Sequence, residues 1–145
     1  KDKIKMAKVE IIKQDLFDGS NKIIGHGVNT KGKMGAGIAA VFRKLYKENY
    51  VFYLEACIDK TLAPGGVLVV EENGTTILNI ASQDYPGPHA RIEWIKEGLE
   101  KLNEAGYRSI ALPWIGCGIG GLKKEDVLKV LEESPLEYIK ICEID

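Results

Sequence analysis

Two glycine-rich stretches carry the residue types and the spacing that suit an anionic ligand. The first spans residues 25–39, follows an apolar run and leads into a helical pattern. The second spans residues 113–122 and follows another apolar run. Glycine lets a second molecule approach the main chain closely, and a loop that enters a helix presents unpaired N–H groups and the positive end of the helix dipole. Two such loops predict a ligand that carries more than one phosphate or sugar.

The first stretch also has the spacing G-x-x-x-x-G-K of nucleotide triphosphate loops, over residues 27–33. Those loops continue with Ser or Thr, whose hydroxyl binds Mg²⁺, whereas this chain has Met34. Because a thioether does not replace a hard oxygen ligand, a nucleotide triphosphatase is kept only as a remote alternative. The second stretch matches G-x-G-x-x-G, but it lies in the last βαβ unit, which makes a nicotinamide site there a weak interpretation.

The chain has two histidines, and His26 is the one that bears on chemistry. It precedes the first glycine stretch at the end of a predicted strand, where ligands meet open α/β sheets. A buried structural histidine and a group that transfers a proton both remain open for it. Asp15 ends an earlier predicted strand, where a carboxylate that caps a turn is the usual interpretation.

Composition excludes several classes of protein. The chain has 145 residues, a net charge of −1, and 45% apolar and 28% charged residues, which is typical of a globular domain. With no basic excess, it has no strong nucleic-acid signature. Its three cysteines show no CxxC spacing, so we expect neither disulfides nor a zinc cluster. We find no signal peptide and no apolar run long enough to span a membrane, and therefore expect a cytoplasmic protein with no membrane partner. We also expect a monomer.

Strand and helix patterns alternate along the chain. Short β-branched or apolar runs predict strands near residues 6–12, 23–28, 67–70, 76–81, 109–112 and 138–142. Helical periodicity covers residues 36–46, 51–58, 90–105 and 123–133. Asn73–Gly74 predicts a hairpin between the third and fourth strands. We therefore predict one α/β domain over residues 1–145, with a mixed sheet covered by helices on both faces, and leave open whether residues 1–5 are an extension.

Taken together, these motifs resemble the macrodomain family. The resemblance rests on residues 15–17, 26–29, 34–39 and 113–122, in that order, and covers essentially the whole chain. It is nearest to the branch that includes terminal ADP-ribose glycohydrolases, the antitoxin of a DNA-ADP-ribosylating toxin pair, and ADP-ribose 1″-phosphate phosphatases. The resemblance implies a three-layer α/β/α sandwich with a central mixed sheet, and ADP-ribose bound in a cleft at the strand ends.

The resemblance also implies a role for individual residues. Asp15 matches the carboxylate that accepts from the adenine amino group, beside the Leu16 backbone, and Asn29 matches an asparagine near the distal ribose. The two loops match those that wrap the diphosphate and the distal ribose. The implied ligand-binding residues are Asp15, Leu16, Asn29, Met34, Gly35, Ala36, Gly37, Ile38, Ala39, Ile115, Gly116, Cys117, Gly118, Ile119, Gly120 and Gly121.

The chain departs from the glycohydrolase pattern at two positions. That branch has a lysine where this chain has Gln83, and the terminal ADP-ribose glycohydrolases have an aspartate where it has Gly120. Lysine attack on the ribose and acid–base work by that aspartate are therefore not expected here, and water is the expected attacking group. The remaining catalytic candidates are His26, Asn29, Ser82 and Asp84.

The function expected at this point is binding of ADP-ribose, or of an ADP-ribosylated molecule, with hydrolysis of an ADP-ribose derivative. Removal of a 1″-phosphate needs donors that stabilise phosphoryl charge, which the second glycine stretch provides as backbone N–H groups. No cofactor and no metal are expected. The alternative is a non-catalytic reader that only binds ADP-ribose, because intact loops without catalytic groups fit that role equally well.

Overall fold

Six strands form one sheet in the structure, a computed structural model that describes residues 7–144. The expectation for residues 1–5 falls outside the described residues, and the domain bounds 1–145 stay a prediction. The elements in chain order are β1 (Lys8–Lys13), β2 (Ile23–Val28), α1 (Gly37–Leu45), α2 (Lys47–Ile58), β3 (Val67–Glu72), β4 (Thr75–Ala81), α3 (Ile92–Glu104), β5 (Ser109–Leu112), α4 (Lys124–Glu132) and β6 (Tyr138–Glu143).

The strand order across the sheet is β1-β6-β5-β2-β4-β3. The first five strands in that order are mutually parallel, and β3 pairs antiparallel with β4. The predicted hairpin forms at Asn73 and Gly74, which both have positive φ, of 53° and 79°. The mixed sheet is therefore confirmed. Because the carboxyl ends of parallel strands meet at one edge, the segments that follow β1, β5, β2 and β4 all leave the sheet on the same side.

Helices cover both faces of the sheet, which confirms the three-layer α/β/α arrangement. The helices α3 and α4 pack on the face that carries Leu112 and Ile139, around one large apolar cluster. The helices α1 and α2 pack on the opposite face over β2, β4 and β3, where Phe42 meets Ile24 and Ile77. Alternation of side chains along each strand places neighbouring residues on opposite faces.

The second helix begins four residues earlier than its apolar periodicity indicates. Two amides of its first turn, those of Glu48 and Asn49, donate to the carboxylate of Glu72 at 3.4 and 2.9 Å. Glu72 belongs to β3, so the cap is a tertiary contact that local sequence does not reveal. Among residues 7–144, no helix has the length and apolar character needed to cross a membrane.

Candidate ligand-binding site

A cavity of about 610 Å³ opens at the carboxyl edge of the parallel strands. Three loops surround it: the first loop (residues 29–36, between β2 and α1), the second loop (residues 113–123, between β5 and α4) and the third loop (residues 82–91, between β4 and α3). The residues named from sequence that line it are Asn29, Gly35, Ala36, Gly37, Ile38, Ala39, Ser82, Ile115, Gly116, Cys117, Gly118, Ile119 and Gly120.

The N-terminus of α1 faces the cavity without a side-chain cap. Ala36 is the N-cap residue, and the first amide to find an acceptor inside the helix is that of Ala40, 3.3 Å from the Ala36 carbonyl. The amides of Gly37, Ile38 and Ala39 are therefore left free by the helix itself. The first turn contains no acidic side chain. The partial positive charge of the helix end is available to an anion in the cavity.

The second loop presents a further set of backbone donors. It closes on itself through the Leu122 amide, which donates to the Gly116 carbonyl at 2.9 Å, and Gly116 takes a positive φ of 75° to make the turn. Among the described residues, the amides of Gly118, Ile119 and Gly120 have no backbone acceptor. A Cβ placed on Gly118 would meet no atom within 4 Å, so this glycine faces open space.

The N-terminus of α1 and the second loop approach each other across the cavity. The Cδ1 atom of Ile119 lies 3.3 Å from the position that a Cβ on Gly37 would occupy. The free amides of α1 and those of the second loop therefore face the same space. Two sets of converging N–H groups form a site for an extended anion such as a diphosphate.

Asn29 shapes the first loop through its side-chain amide. Its Oδ1 accepts from the amides of Lys31 and Lys33 at 2.9 and 3.3 Å, and its Nδ2 donates to the Lys33 carbonyl at 2.8 Å. The hydroxyl of the buried Tyr53 donates to the Asn29 carbonyl at 2.8 Å and to the same Oδ1 at 3.0 Å. Burial raises the pKa of Tyr53, which keeps its hydroxyl a donor.

His26 lies away from the cavity, which corrects the expectation that it handles a proton there. It is fully buried on the α1 and α2 face of β2, where its ring stacks on Phe42 with centroids 3.7 Å apart. Its Nε2 donates to Asn79 Oδ1 at 2.9 Å. Burial lowers the pKa of His26 to about 4, and the hydrogen bond that its ring donates to Asn79 only partly opposes that effect. The ring is therefore neutral near pH 7 and does not line the cavity.

The third loop is organised by the side chain that replaces the expected lysine. The Nε2 atom of Gln83 donates to the carbonyls of Tyr85 and Gly87, at 2.6 and 2.9 Å. Asp84 contributes its carbonyl, which accepts from Thr30 Oγ1 at 3.3 Å, and it does not line the cavity. Ser82 is fully buried and lines the cavity. Of the two third-loop catalytic candidates, the structure thus brings only Ser82 to the cavity.

Four of the ligand-binding residues implied by resemblance lie outside the cavity lining. Asp15 is exposed, and its Oδ1 accepts from the Phe17 amide at 3.0 Å, as in a capped turn. Leu16 and Met34 are buried in the apolar clusters beneath the first loop and α1. Gly121 follows the last lining residue of the second loop. Sequence analysis in turn missed the lining residues Gly27, Val28, Lys33, Pro86, Gly87, Pro113 and Trp114.

The third loop and Lys33 could have been found by one general signal, since each follows a predicted strand that belongs to the parallel part of the sheet.

The geometry does not support the nucleotide triphosphatase. The helix begins at Gly37 and not directly after Lys33, and Met34 is buried. Among the residues that the structure describes, no carboxylate lines the cavity. Across residues 7–144, no group of three or more His, Cys, Asp and Glu side chains could hold a metal ion.

A model of the Macro domain family matches residues 26–131 of the chain. The chain belongs to the macrodomain family. The resemblance inferred from the sequence motifs is thereby confirmed, and the matched residues include all of the described residues that line the cavity.

Known relatives of this macrodomain agree with that assignment. A DNA ADP-ribosyl glycohydrolase of Thermus aquaticus is 28% identical over 144 residues, which is 94% of this chain and 40% of the relative. An ADP-ribose 1″-phosphate phosphatase of Meyerozyma guilliermondii is 35% identical over 89 residues, which is 59% of this chain and 48% of the relative. The chain thus spans less than half the length of these two relatives.

A solved structure, the macrodomain of Thermus aquaticus DarG, superposes on this macrodomain with a TM-score of 0.79 and 26% identity. The match covers 94% of this chain and 99% of that one. The two chains therefore share the complete sheet-and-helix arrangement that positions the cavity.

Proposed function

We propose that this macrodomain binds ADP-ribose in the cavity and hydrolyses an ADP-ribose derivative. The observation that carries the proposal is the convergence of free amides from the α1 N-terminus and from the second loop on one space. A diphosphate needs many N–H donors over a short length, and these two elements supply them. A volume of about 610 Å³ lies within the range of small-molecule sites.

The strand order suggests how the ligand is oriented. The two amide-bearing elements follow β2 and β5, which are adjacent at the centre of the sheet. Asp15 follows β1 on one side of them, and Ser82 follows β4 on the other. With adenine on the Asp15 side, as the family resemblance implies, the distal ribose lies over the end of β4. Lys33, the one charged residue among the described residues that line the cavity, adds positive charge for the diphosphate.

For the chemical step, we propose that water attacks at the distal end of the ligand, where the second loop faces it, and that the bond to the 1″-phosphate or to the ADP-ribosylated group breaks, so that ADP-ribose is released. Backbone donors aimed at developing negative charge stabilise a transition state without any change in protonation. The names of the relatives support two substrate classes, ADP-ribose 1″-phosphate and an ADP-ribosyl group linked to DNA. The chain offers neither the lysine at position 83 nor the aspartate at position 120 that would support covalent or acid–base catalysis.

A non-catalytic reader is the second candidate function, and three placements favour it. Gln83 uses its amide nitrogen inside the third loop, Gly120 has no side chain, and His26 is buried away from the cavity. The binding elements are present while the usual proton-transfer groups are not. Tight binding without turnover is the behaviour that this candidate predicts.

Binding is tested with Gly118→Val, measured by calorimetry with ADP-ribose. An added β-branched side chain would project into the cavity between the two sets of amides, and we expect loss of measurable binding. The fold should persist, since a Cβ at Gly118 meets no atom within 4 Å. Gly118→Ala serves as a graded control with a smaller loss. A folded Gly118→Val protein that binds ADP-ribose normally would refute the two-loop site.

Turnover distinguishes the hydrolase from the reader. Phosphate release from ADP-ribose 1″-phosphate and loss of label from ADP-ribosylated DNA are followed with the parent chain and with Gly118→Val. Turnover that disappears in the variant supports hydrolysis in this cavity. A parent that binds ADP-ribose and turns over neither substrate supports the reader. The monomeric state and the cytoplasmic location stay predictions, to be tested by light scattering and by cell fractionation.

A further inference from the structure

The hydroxyl of Ser82 is a buried polar group for which residues 7–144 supply no hydrogen bond. Ser82 directly follows β4, has no exposed surface and lines the cavity. Its Oγ has no hydrogen-bond partner among the described residues. Leaving a buried hydroxyl unpaired costs free energy, and such groups are uncommon in folded proteins. The position of Ser82 at the cavity suggests that its partner is a ligand.

The other uncharged polar side chains of the cavity are already engaged. Asn29 is held within the first loop and Gln83 within the third. Trp114 Nε1 donates to Glu143 at 2.6 Å, and Cys117 Sγ lies 3.6 Å from the Ile115 carbonyl. Among the uncharged polar side chains of the described lining residues, Ser82 is therefore the exception. The other buried side-chain atoms without a partner, His26 Nδ1 and Ser134 Oγ, belong to residues that do not line the cavity.

The surroundings of Ser82 exclude a nucleophilic role. Its Oγ occupies the space that a side chain on Gly27 would fill, on the face of the sheet that also carries Ile115. His26 precedes Gly27 in β2 and points to the opposite face, so it cannot accept a proton from Ser82. Since a serine nucleophile needs a base within hydrogen-bond reach, the hydroxyl is suited to donating a hydrogen bond and not to attack.

We propose that Ser82 Oγ donates a hydrogen bond to an oxygen of the distal ribose, and that it thereby distinguishes ADP-ribose derivatives from ADP. This inference rests on the proposed function, which sets ADP-ribose in the cavity with its distal ribose over the end of β4. A buried polar group that only the correct ligand satisfies is an effective source of specificity, because a ligand lacking that oxygen leaves the group unpaired. The contact involves no covalent step.

The test compares Ser82→Ala with Ser134→Ala, measuring the affinity for ADP-ribose and for ADP together with the melting temperature. Ser134 is a matched control, because it is a second buried serine, away from the cavity, whose hydroxyl has no partner within residues 7–144. Loss of one neutral hydrogen bond should weaken ADP-ribose binding about 3- to 10-fold in Ser82→Ala. Binding of ADP, which lacks the distal ribose, should not change. Both variants should melt at or above the temperature of the parent.

Each other outcome overturns the inference in a recognisable way. A parent that binds ADP-ribose, with Ser82→Ala binding it equally well, rules out the Ser82 contact and leaves the proposed function intact. An equal loss of affinity for ADP-ribose and ADP, or a melting temperature lowered only in Ser82→Ala, assigns the hydroxyl a structural role. A parent that does not bind ADP-ribose at all removes the proposed function, and this inference with it.

Discussion

Acidification should destabilise this macrodomain through His26, a residue that the fold buries completely. The imidazole stacks on Phe42 and donates from Nε2 to Asn79, and its Nδ1 has no hydrogen-bond partner among the described residues. A proton added at Nδ1 would place an uncompensated charge between β2 and α1. Burial accordingly lowers the pKa of His26 from 6.5 to about 4.

The size and direction of the effect follow from proton linkage. Above pH 6.5 the histidine is neutral in both the folded and the unfolded chain and has no pH-dependent effect. As the pH falls from 6.5 to about 4, His26 binds a proton in the unfolded chain but not in the folded chain. The free energy of unfolding therefore decreases. Each pH unit of difference is worth about 1.4 kcal/mol, which gives a loss of about 3 kcal/mol by pH 4.

The measurement is urea unfolding at a series of pH values for the parent, His26→Gln and His89→Gln. The exposed His89 is the only other histidine, and its substitution controls for the loss of an imidazole. The parent and His89→Gln should lose stability in parallel between pH 6.5 and 4, whereas His26→Gln should show a flatter profile. NMR titration of the parent gives the His26 pKa directly. A value near 6.5 would refute the reasoning, as would an unchanged slope in His26→Gln.

Two further predictions concern the first loop and the proposed adenine end. Tyr53→Phe should lower the free energy of unfolding by about 1–2 kcal/mol, because the buried hydroxyl is a donor to Asn29, while Tyr50→Phe on the same helix should have little effect. Denaturant unfolding measures both variants, and equal stabilities would show that the hydroxyl contributes nothing. Asp15→Ala should weaken ADP-ribose binding by about 1–3 kcal/mol, as loss of a charge-assisted hydrogen bond does, and Asp18→Ala is the control. Unchanged calorimetric affinity in a folded Asp15→Ala protein would exclude the adenine contact.

Much of the fold could be predicted from sequence because its signals are local. Asn73 and Gly74 specify a tight hairpin through their tolerance of positive φ, and this turn formed where predicted. Alternating strand and helix patterns gave the mixed sheet and its two helical layers. The glycine loops were found for the same reason, since each lies between a strand and a helix that the local pattern reveals.

The catalytic candidates could not be judged in the same way. Whether His26 reaches the cavity depends on which face of β2 it points to and on which helix covers that face, and both are settled only when α1 packs on the sheet. Asn29 and Gln83 have the side chains of ligand-binding residues, yet their amides are used within their own loops. Hydrogen-bond partners of this kind are chosen by loop conformation, which residue identity does not specify.

By itself, the sequence determined the elements, their order and the two loops that present free amides, because periodicity and glycine act over a few neighbouring residues. Only the tertiary structure decided what those loops enclose. Strand order brings the segments after β2, β4 and β5 to one edge, although they are far apart in the chain. This convergence, driven by burial of the apolar faces of the sheet, places Ser82 at the cavity with a hydroxyl that no described residue pairs, and places His26 on the opposite face of β2.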